Sequence, residues 1–277
     1  MTLDFAIGHI ALSEIACSEK GDLRMKFVGV KRPTIALTLA SAALSFALAV
    51  GAIVAGVSAD AKEQAAPERK LSPAEALLFD RPHLLKIKEP SVLNYRFKRK
   101  TTGDDGFEDF VRVKIDRIKK NGARDVSFEF LTGKRQRPYG AAEDLRGNPL
   151  VMLFLNYDIW AQSRAIGGKA NYFRNRIRDA LRDTAKVEEV TVQRPDGPIT
   201  AQKITIEPYL KDRYRDRFKE YQFKIYEFIL SPDIMGEVVN VRTIVPAKNT
   251  DKKDAQPLIE ESLTFENMSS QKSAQKK

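Results

Sequence analysis

The chain predicts an α+β domain, a curved and mostly antiparallel sheet of about eight strands, open or half-barrel, with two central helices packed on it. Three observations carry this expectation. Between residues 91 and 266 the apolar side chains recur mainly with period two, which is the mark of strands buried on one face. Turn residues separate these runs at short intervals, as hairpins require. One stretch, residues 148–183, switches to helical spacing.

The first strand is expected where Leu93, Tyr95 and Phe97 alternate with Asn94, Arg96 and Lys98. Gly103 to Gly106 links it to a second, carrying Val111, Val113 and Ile115. Asn121-Gly122 then leads to a third, carrying Val126, Phe128 and Phe130, and suits a turn that needs positive φ. The helical stretch follows. Asn148 can cap, Pro149 suits a first helical position, and Leu150, Val151, Phe154, Leu155 and Ile159 place one apolar face against the sheet. Gly167-Gly168 ends this helix, and Tyr172, Phe173, Ile177 and Leu181 form the inner face of a second. Alternation resumes at Val190 and Val192, turns at Pro195-Asp196-Gly197, and returns at Ile204 and Ile206. A run from Tyr221 through Phe223 and Ile225 to Ile229 comes next, then a turn across 231–236, then Val239 with Val241, and finally Leu263 with Phe265.

Upstream, Thr34 to Ala59 is a run of 26 uncharged residues behind Arg24, Lys26, Lys31 and Arg32. That order is an export signal or a membrane anchor, and in both cases the basic flank stays inside and residues 62 onward face the periplasm. The length exceeds the ~18 residues needed to span a bilayer, which favours an anchor. Small residues at Ala59 and Ala61 fit cleavage instead, and Val57 with Ala59 offers a second frame. Asp4, Glu14, Glu19 and Asp22 make residues 1–24 a poor leader, so translation is expected to begin at Met25. The organisation is therefore 1–24 as an extension, 25–61 as signal or inner-membrane anchor, 62–90 as tether and short segment, 91–266 as the β-rich domain, and 267–277 as a disordered tail.

The whole net charge of +10 belongs to residues 62–277, since the leader is balanced. Such a surface suits a lipid headgroup or another anionic envelope component, and equally serves solubility. Export argues against nucleic acid. The one cysteine, Cys17, precedes the apolar run, so the exported part has no disulfide, no thiolate chemistry, no cysteine-bound zinc and no lipidated cysteine. His83 stands alone there and cannot make a multi-histidine metal site. No nucleophile motif is present, no catalytic residue is assigned, and no metal or other cofactor is expected. Asp104, Asp105, Glu108 and Asp109 lack the spacing of a calcium loop and suit an exposed turn. The basic and aromatic run 209–219 suits a solvated loop or a short helix leading into the next strand. Arg174, Arg178 and Arg182, stacked at i, i+4, are the anion-contact candidates, although Asp179 and Asp183 can neutralise them locally.

The order of hairpins, with a buried helix entered through Gly147-Asn148-Pro149-Leu150 and continuing as GNPLVMLFL, resembles the bacterial lipoprotein-carrier superfamily of the LolA and LolB type over most of residues 90–266. The resemblance implies an open, strongly curved sheet closed by helices around an apolar cavity for acyl chains. The chain departs from that pattern in its many charges between 209 and 228, and no known site residue transfers. On this reading Tyr95, Phe97, Val113, Phe128 and Phe130 line the cavity, lidded by Leu153, Phe154 and Trp160, and the protein binds a lipid or another amphiphile without catalysis. The same residues could fill a solid core. An envelope interaction module without a cavity, and a hydrolase built on convergent carboxylates, stay open beside it.

Overall fold

A computed structural model describes residues 69–247 and 256–271, together with one short antiparallel pair, Ala6–Ile7 with Ile10–Ala11. The expected signal or anchor segment, its expected cleavage site and the expected start at Met25 lie outside the described residues, as does most of the tether. Among the described residues no helix is long and apolar enough to cross a membrane.

Nine strands form one antiparallel sheet: β1 (Ser91–Thr101), β2 (Asp104–Ile118), β3 (Arg124–Phe130), β4 (Ala142–Leu145), β5 (Lys186–Val192), β6 (Ile199–Ile206), β7 (Ile225–Leu230), β8 (Val238–Val245) and β9 (Ile259–Ser270). Their spatial order is β4-β3-β2-β1-β9-β8-β7-β6-β5, so the sheet is open, with β4 and β5 at its edges. Each neighbour is a hairpin partner except β1 and β9, where the two ends of the domain join: Leu263 faces Phe97 and Phe265 faces Tyr95. Register shifts at 99/101, 115/117, 238/240 and 265/267 mark bulges, which bend strands and give the sheet its curvature.

Helices α1 (Leu150–Ile166) and α2 (Ala170–Asp183) cover one face. The inward positions of β1, β2 and β9 are Tyr95, Phe97, Val111, Val113, Leu263 and Phe265, all buried. The opposite face is tiled by cross-strand ion pairs: Glu108 with Arg96 and Lys98, Glu129 with Arg112 and Lys114, and Glu227 with Arg242 and Lys203. Such half-exposed pairs add little stability, but opposite charges across strands favour the observed register.

The structure revises several boundaries. A ninth strand, β4, was not anticipated; it has four residues, too few for a period to register. Tyr221 and Phe223 belong to a 3₁₀ segment, Arg215–Phe223, rather than to the strand that follows. β9 runs past the expected boundary at 266, and Asn267 to Ser270 pair with residues 91–94. Ser72, placed in the tether, instead caps the short helix Pro73–Glu75 in a capping box with Glu75, and its hydroxyl donates to the Leu181 carbonyl at 2.9 Å. The acidic cluster divides between sites: Asp104 accepts from the Gly106 amide, Glu108 lies on the ion-paired face, and Asp109 accepts from the Thr132 amide and hydroxyl.

His83 is fully buried and uses both ring nitrogens. Nδ1 accepts from the Asn148 amide at 3.1 Å, so Nε2 carries the proton and donates to the Leu77 carbonyl at 2.8 Å. Burial lowers its pKa, the Leu77 bond opposes this, and the Arg81 charge lowers it further. The unfolded chain therefore binds the proton more readily than the folded one. Stability from this group is complete above the ordinary value of about 6.5 and is lost as the pH falls below it. The denaturant midpoint should drop between pH 7.5 and pH 5.5, and His83→Gln should flatten that slope; an unchanged slope would refute the assignment.

Candidate functional site

Two places in the domain have chemistry beyond packing. They sit toward opposite ends of the same strands: one at the start of β7 and β9, the other beyond the end of β7 and at the far half of β9.

At the first, α1 turns Asp158 and Gln162, one helical turn apart, onto the inner sheet face. Asp158 forms an ion pair with Lys224, both side chains being almost wholly buried, and Gln162 Oε1 accepts from Lys224 Nζ at 3.3 Å. The Tyr226 hydroxyl donates to the second Asp158 oxygen at 2.8 Å. With that proton spent, the Tyr209 hydroxyl is the donor to Tyr226 across 3.2 Å. Arg99 Nη1 meets Glu261 Oε1 at 2.5 Å on the same inner face. The cluster thus holds two carboxylates and two cations in balance. Burial is the main cause that raises the Glu261 pKa, the nearby Asp158 charge adds to it, and Lys224 and Arg99 oppose. Burial raises Tyr226 and Tyr209 as well, with Asp158 adding to both.

As chemistry, this arrangement locks more readily than it reacts. Asp158 is 1% exposed and Glu261 3%, and each is neutralised by a cation, so this acid pair faces no solvent-filled cleft. Among the described residues no group of histidine, cysteine and acidic side chains could hold a metal ion.

At the second place an open cleft of about 330 Å³ lies between the β5–β6 turn, the β7–β8 turn and β9. Ile199, Ile234, Met235, Phe265 and Met268 supply apolar wall, and Arg194, Asp196, Asp233 and Glu266 supply the polar rim. Met235 and Met268 are well exposed. The Arg194 guanidinium lies 5.4 Å from the Phe265 ring centroid, and Phe265 packs edge-on against Tyr95 at 5.5 Å. The bulge at 265/267 opens β9 here, and Gly197 (φ +113°) turns the facing hairpin.

The sequence-predicted cavity residues do share the helix-covered face. Tyr95, Phe97, Val113, Phe130, Leu153 and Phe154 are fully buried there, and Phe128 is half-buried. Several contact each other or α1 directly: Phe97 and Phe130 reach the Tyr157 ring at 5.6 and 5.4 Å. Trp160 is half-buried under Arg137 and Arg164, whose guanidiniums lie 4.0 and 5.1 Å from its ring. The arginine row divides. Arg182 is bound to Asp183 and Asp179, and its pKa rises chiefly through the Asp183 bond; Arg174 and Arg178 bond the amide oxygens of Asn171 and Asn175.

Sequence reasoning missed Asp158, Lys224, Tyr226 and Glu261. Signals existed. Asp158 and Gln162 interrupt the apolar face of α1, and Glu261 is in phase with Leu263 and Phe265, so it had to point inward.

No protein-family model matches the chain, and no curated protein matches it. Among solved structures, a LolA superfamily protein from Nitrosomonas europaea aligns over 72% of this chain and 93% of its own length, at 9% identity and a TM-score of 0.19. A likeness this distant carries no argument about function, which rests on the residues above.

Proposed function

We propose that the chain is an exported, non-enzymatic protein that binds a lipid or another amphiphile at the cleft between the β5–β6 turn, the β7–β8 turn and β9. The observation that carries this reading is an accessible apolar wall ending in two exposed methionines under a polar rim. Methionine adapts to irregular apolar ligands, and an acyl segment laid on Met235 and Met268, beside the half-buried Ile199, gains about 25 cal/mol for each Å² removed from water. Phe265 touches Tyr95, so the cleft is the outer end of the same apolar interior that holds Phe97, Val113, Phe128 and Phe130. Binding at this end needs no separation of α1 from the sheet.

The fluorescent fatty acid cis-parinaric acid is expected to bind the purified full chain, and Met235→Glu with Met268→Glu to weaken binding at least tenfold without changing the circular dichroism. Native mass spectrometry of protein taken from the envelope should show co-purified lipid. Equal binding by wild type and variant would overturn the cleft assignment. The close ring contacts of the interior favour a second reading, an envelope interaction module without a ligand cavity. Lipid-free protein that captures envelope proteins would select it.

A further inference from the structure

We propose that the domain docks on an anionic phospholipid surface through the basic and aromatic loop 211–219, with Tyr214 at its centre. Three parts of the loop's construction point this way. Its inner side is pinned: Phe218 is buried against Tyr172, Phe173 and Tyr209, at 6.3, 5.7 and 5.6 Å between ring centroids. Asp212 is buried too, accepting from the Tyr172 hydroxyl at 2.7 Å and from the Tyr214 amide at 2.7 Å. The one inward acid thereby holds the loop in shape.

The outer side is then basic by elimination. Lys211, Arg213, Arg215, Arg217 and Lys219 are all exposed, and Asp216 is the exposed acid among them, 3.7 Å from Arg215. Tyr214 is 38% exposed, with the Arg213 and Arg217 guanidiniums 4.6 and 5.4 Å from its ring centroid. Arg176 of α2 also lies over Tyr172, but it is paired with Asp179 at 2.6 Å and adds no net charge to the patch. Lys219 holds φ +50° and ψ −130°, a conformation that side-chain-bearing residues adopt at a cost and that concentrates where a surface is put to use.

A tyrosine flanked by arginines suits the headgroup layer, where its exposed edge and hydroxyl lie among glycerol and ester atoms and the guanidiniums meet phosphate. Nucleic acid would need the Tyr214 face for base stacking, and guanidiniums already cover that ring. The inference rests on the reading that residues 34–59 bring the domain to a membrane. It does not depend on the cleft, which lies toward the other end of the strands.

The test uses the full chain carrying a photoreactive benzophenone residue at position 214, reconstituted in vesicles of phosphatidylcholine alone or with phosphatidylglycerol. Lipid crosslinking at 214 should rise at least tenfold with phosphatidylglycerol, and a probe at Lys120, an exposed site in the β2–β3 loop, should not respond. Since each basic residue near an anionic surface is worth roughly fivefold in binding, Arg213→Gln with Arg217→Gln should remove at least nine-tenths of the signal at 214. The charge-matched pair Lys88→Gln with Lys120→Gln should leave it within twofold. Equal crosslinking in both vesicles, equal loss in both variant pairs, or preferential crosslinking of an added single-stranded RNA oligonucleotide would each overturn the proposal. Loss of cis-parinaric acid binding with docking intact would instead remove the cleft reading alone.

Discussion

Asp158→Ala is expected to destabilise the domain by about 3–5 kcal/mol, the characteristic cost of leaving one member of a buried ion pair without its partner. Lys224 lies almost wholly buried, and its other oxygen partner is Gln162 at 3.3 Å, so the substitution strands an ammonium inside the sheet. The Tyr226 hydroxyl loses its acceptor at the same time. Removing both charges should behave differently. Asp158→Leu with Lys224→Met replaces the pair by side chains of similar volume, and stability near or above wild type is the expected result, because the desolvation cost of both ions disappears. Urea titration of wild type, Asp158→Leu, Lys224→Met and the double variant closes the cycle, with Asp158→Ala measured beside it. A single variant within 1 kcal/mol of wild type, or a double variant no better than the single, would show that the pair is not what fixes α1 against β7. The cycle also bears on Glu261: with the Asp158 charge gone, one of the two causes raising its pKa is removed.

How much of this was legible in the sequence differs between elements. Wherever an element keeps one face apolar and one polar, the period shows through, as in β1, β2 and both helices. β4 escaped because four residues, Ala142 to Leu145, cannot express a period. The stretch through Tyr221 and Phe223 misled because aromatic residues two apart mimic a strand, although the backbone there coils as 3₁₀ and Lys219 kinks it. The polar cluster was only partly legible: Glu261 is in phase with Leu263 and Phe265 and Asp158 interrupts an apolar face, but nothing local marks Lys224 as their inward partner. Hydrophobic patterning marks charged residues as outward, and a buried pair violates that rule at both partners, which lie 66 residues apart in the chain. The cleft was illegible because two separate turns and a distant strand build it, and no local pattern joins Arg194, Met235 and Met268. The arginine row of α2 was legible, but the neighbours that divide it were only partly so: Asp179 and Asp183 take up Arg182, and the asparagines beside Arg174 and Arg178 passed unnoticed.

Asn148→Ala should cost about 3 kcal/mol, from a residue that the sequence marked only as a cap. Pro149 already has helical angles (φ −73°, ψ −7°) and its carbonyl accepts from Leu153, so Asn148 is the residue that caps α1, its Oδ1 accepting from the Leu150 amide at 3.0 Å. Loss of such a cap costs about 1 kcal/mol. Its amide also donates to the Tyr95 hydroxyl and to the Gly236 carbonyl, each at 2.9 Å, and each lost buried bond costs about 1 kcal/mol more. One side chain thereby ties the start of α1 to β1 and to the β7–β8 turn. That turn has no slack: Gly236 sits at φ +79°, and a Cβ there would lie 2.6 Å from Leu93 Cδ1. Asn148→Ser keeps a cap oxygen and loses both donors, so it should recover about 1 kcal/mol of the three. Tyr95→Phe removes a single partner, and the Asn148→Ala, Tyr95→Phe cycle should return a coupling of about 1 kcal/mol. A serine variant no more stable than alanine would count against the cap, and zero coupling to Tyr95 against the tie to β1. Because the β7–β8 turn also forms one wall of the cleft, Asn148→Ala should loosen the proposed amphiphile site as well, seen as weaker cis-parinaric acid binding at a temperature where the variant is still folded.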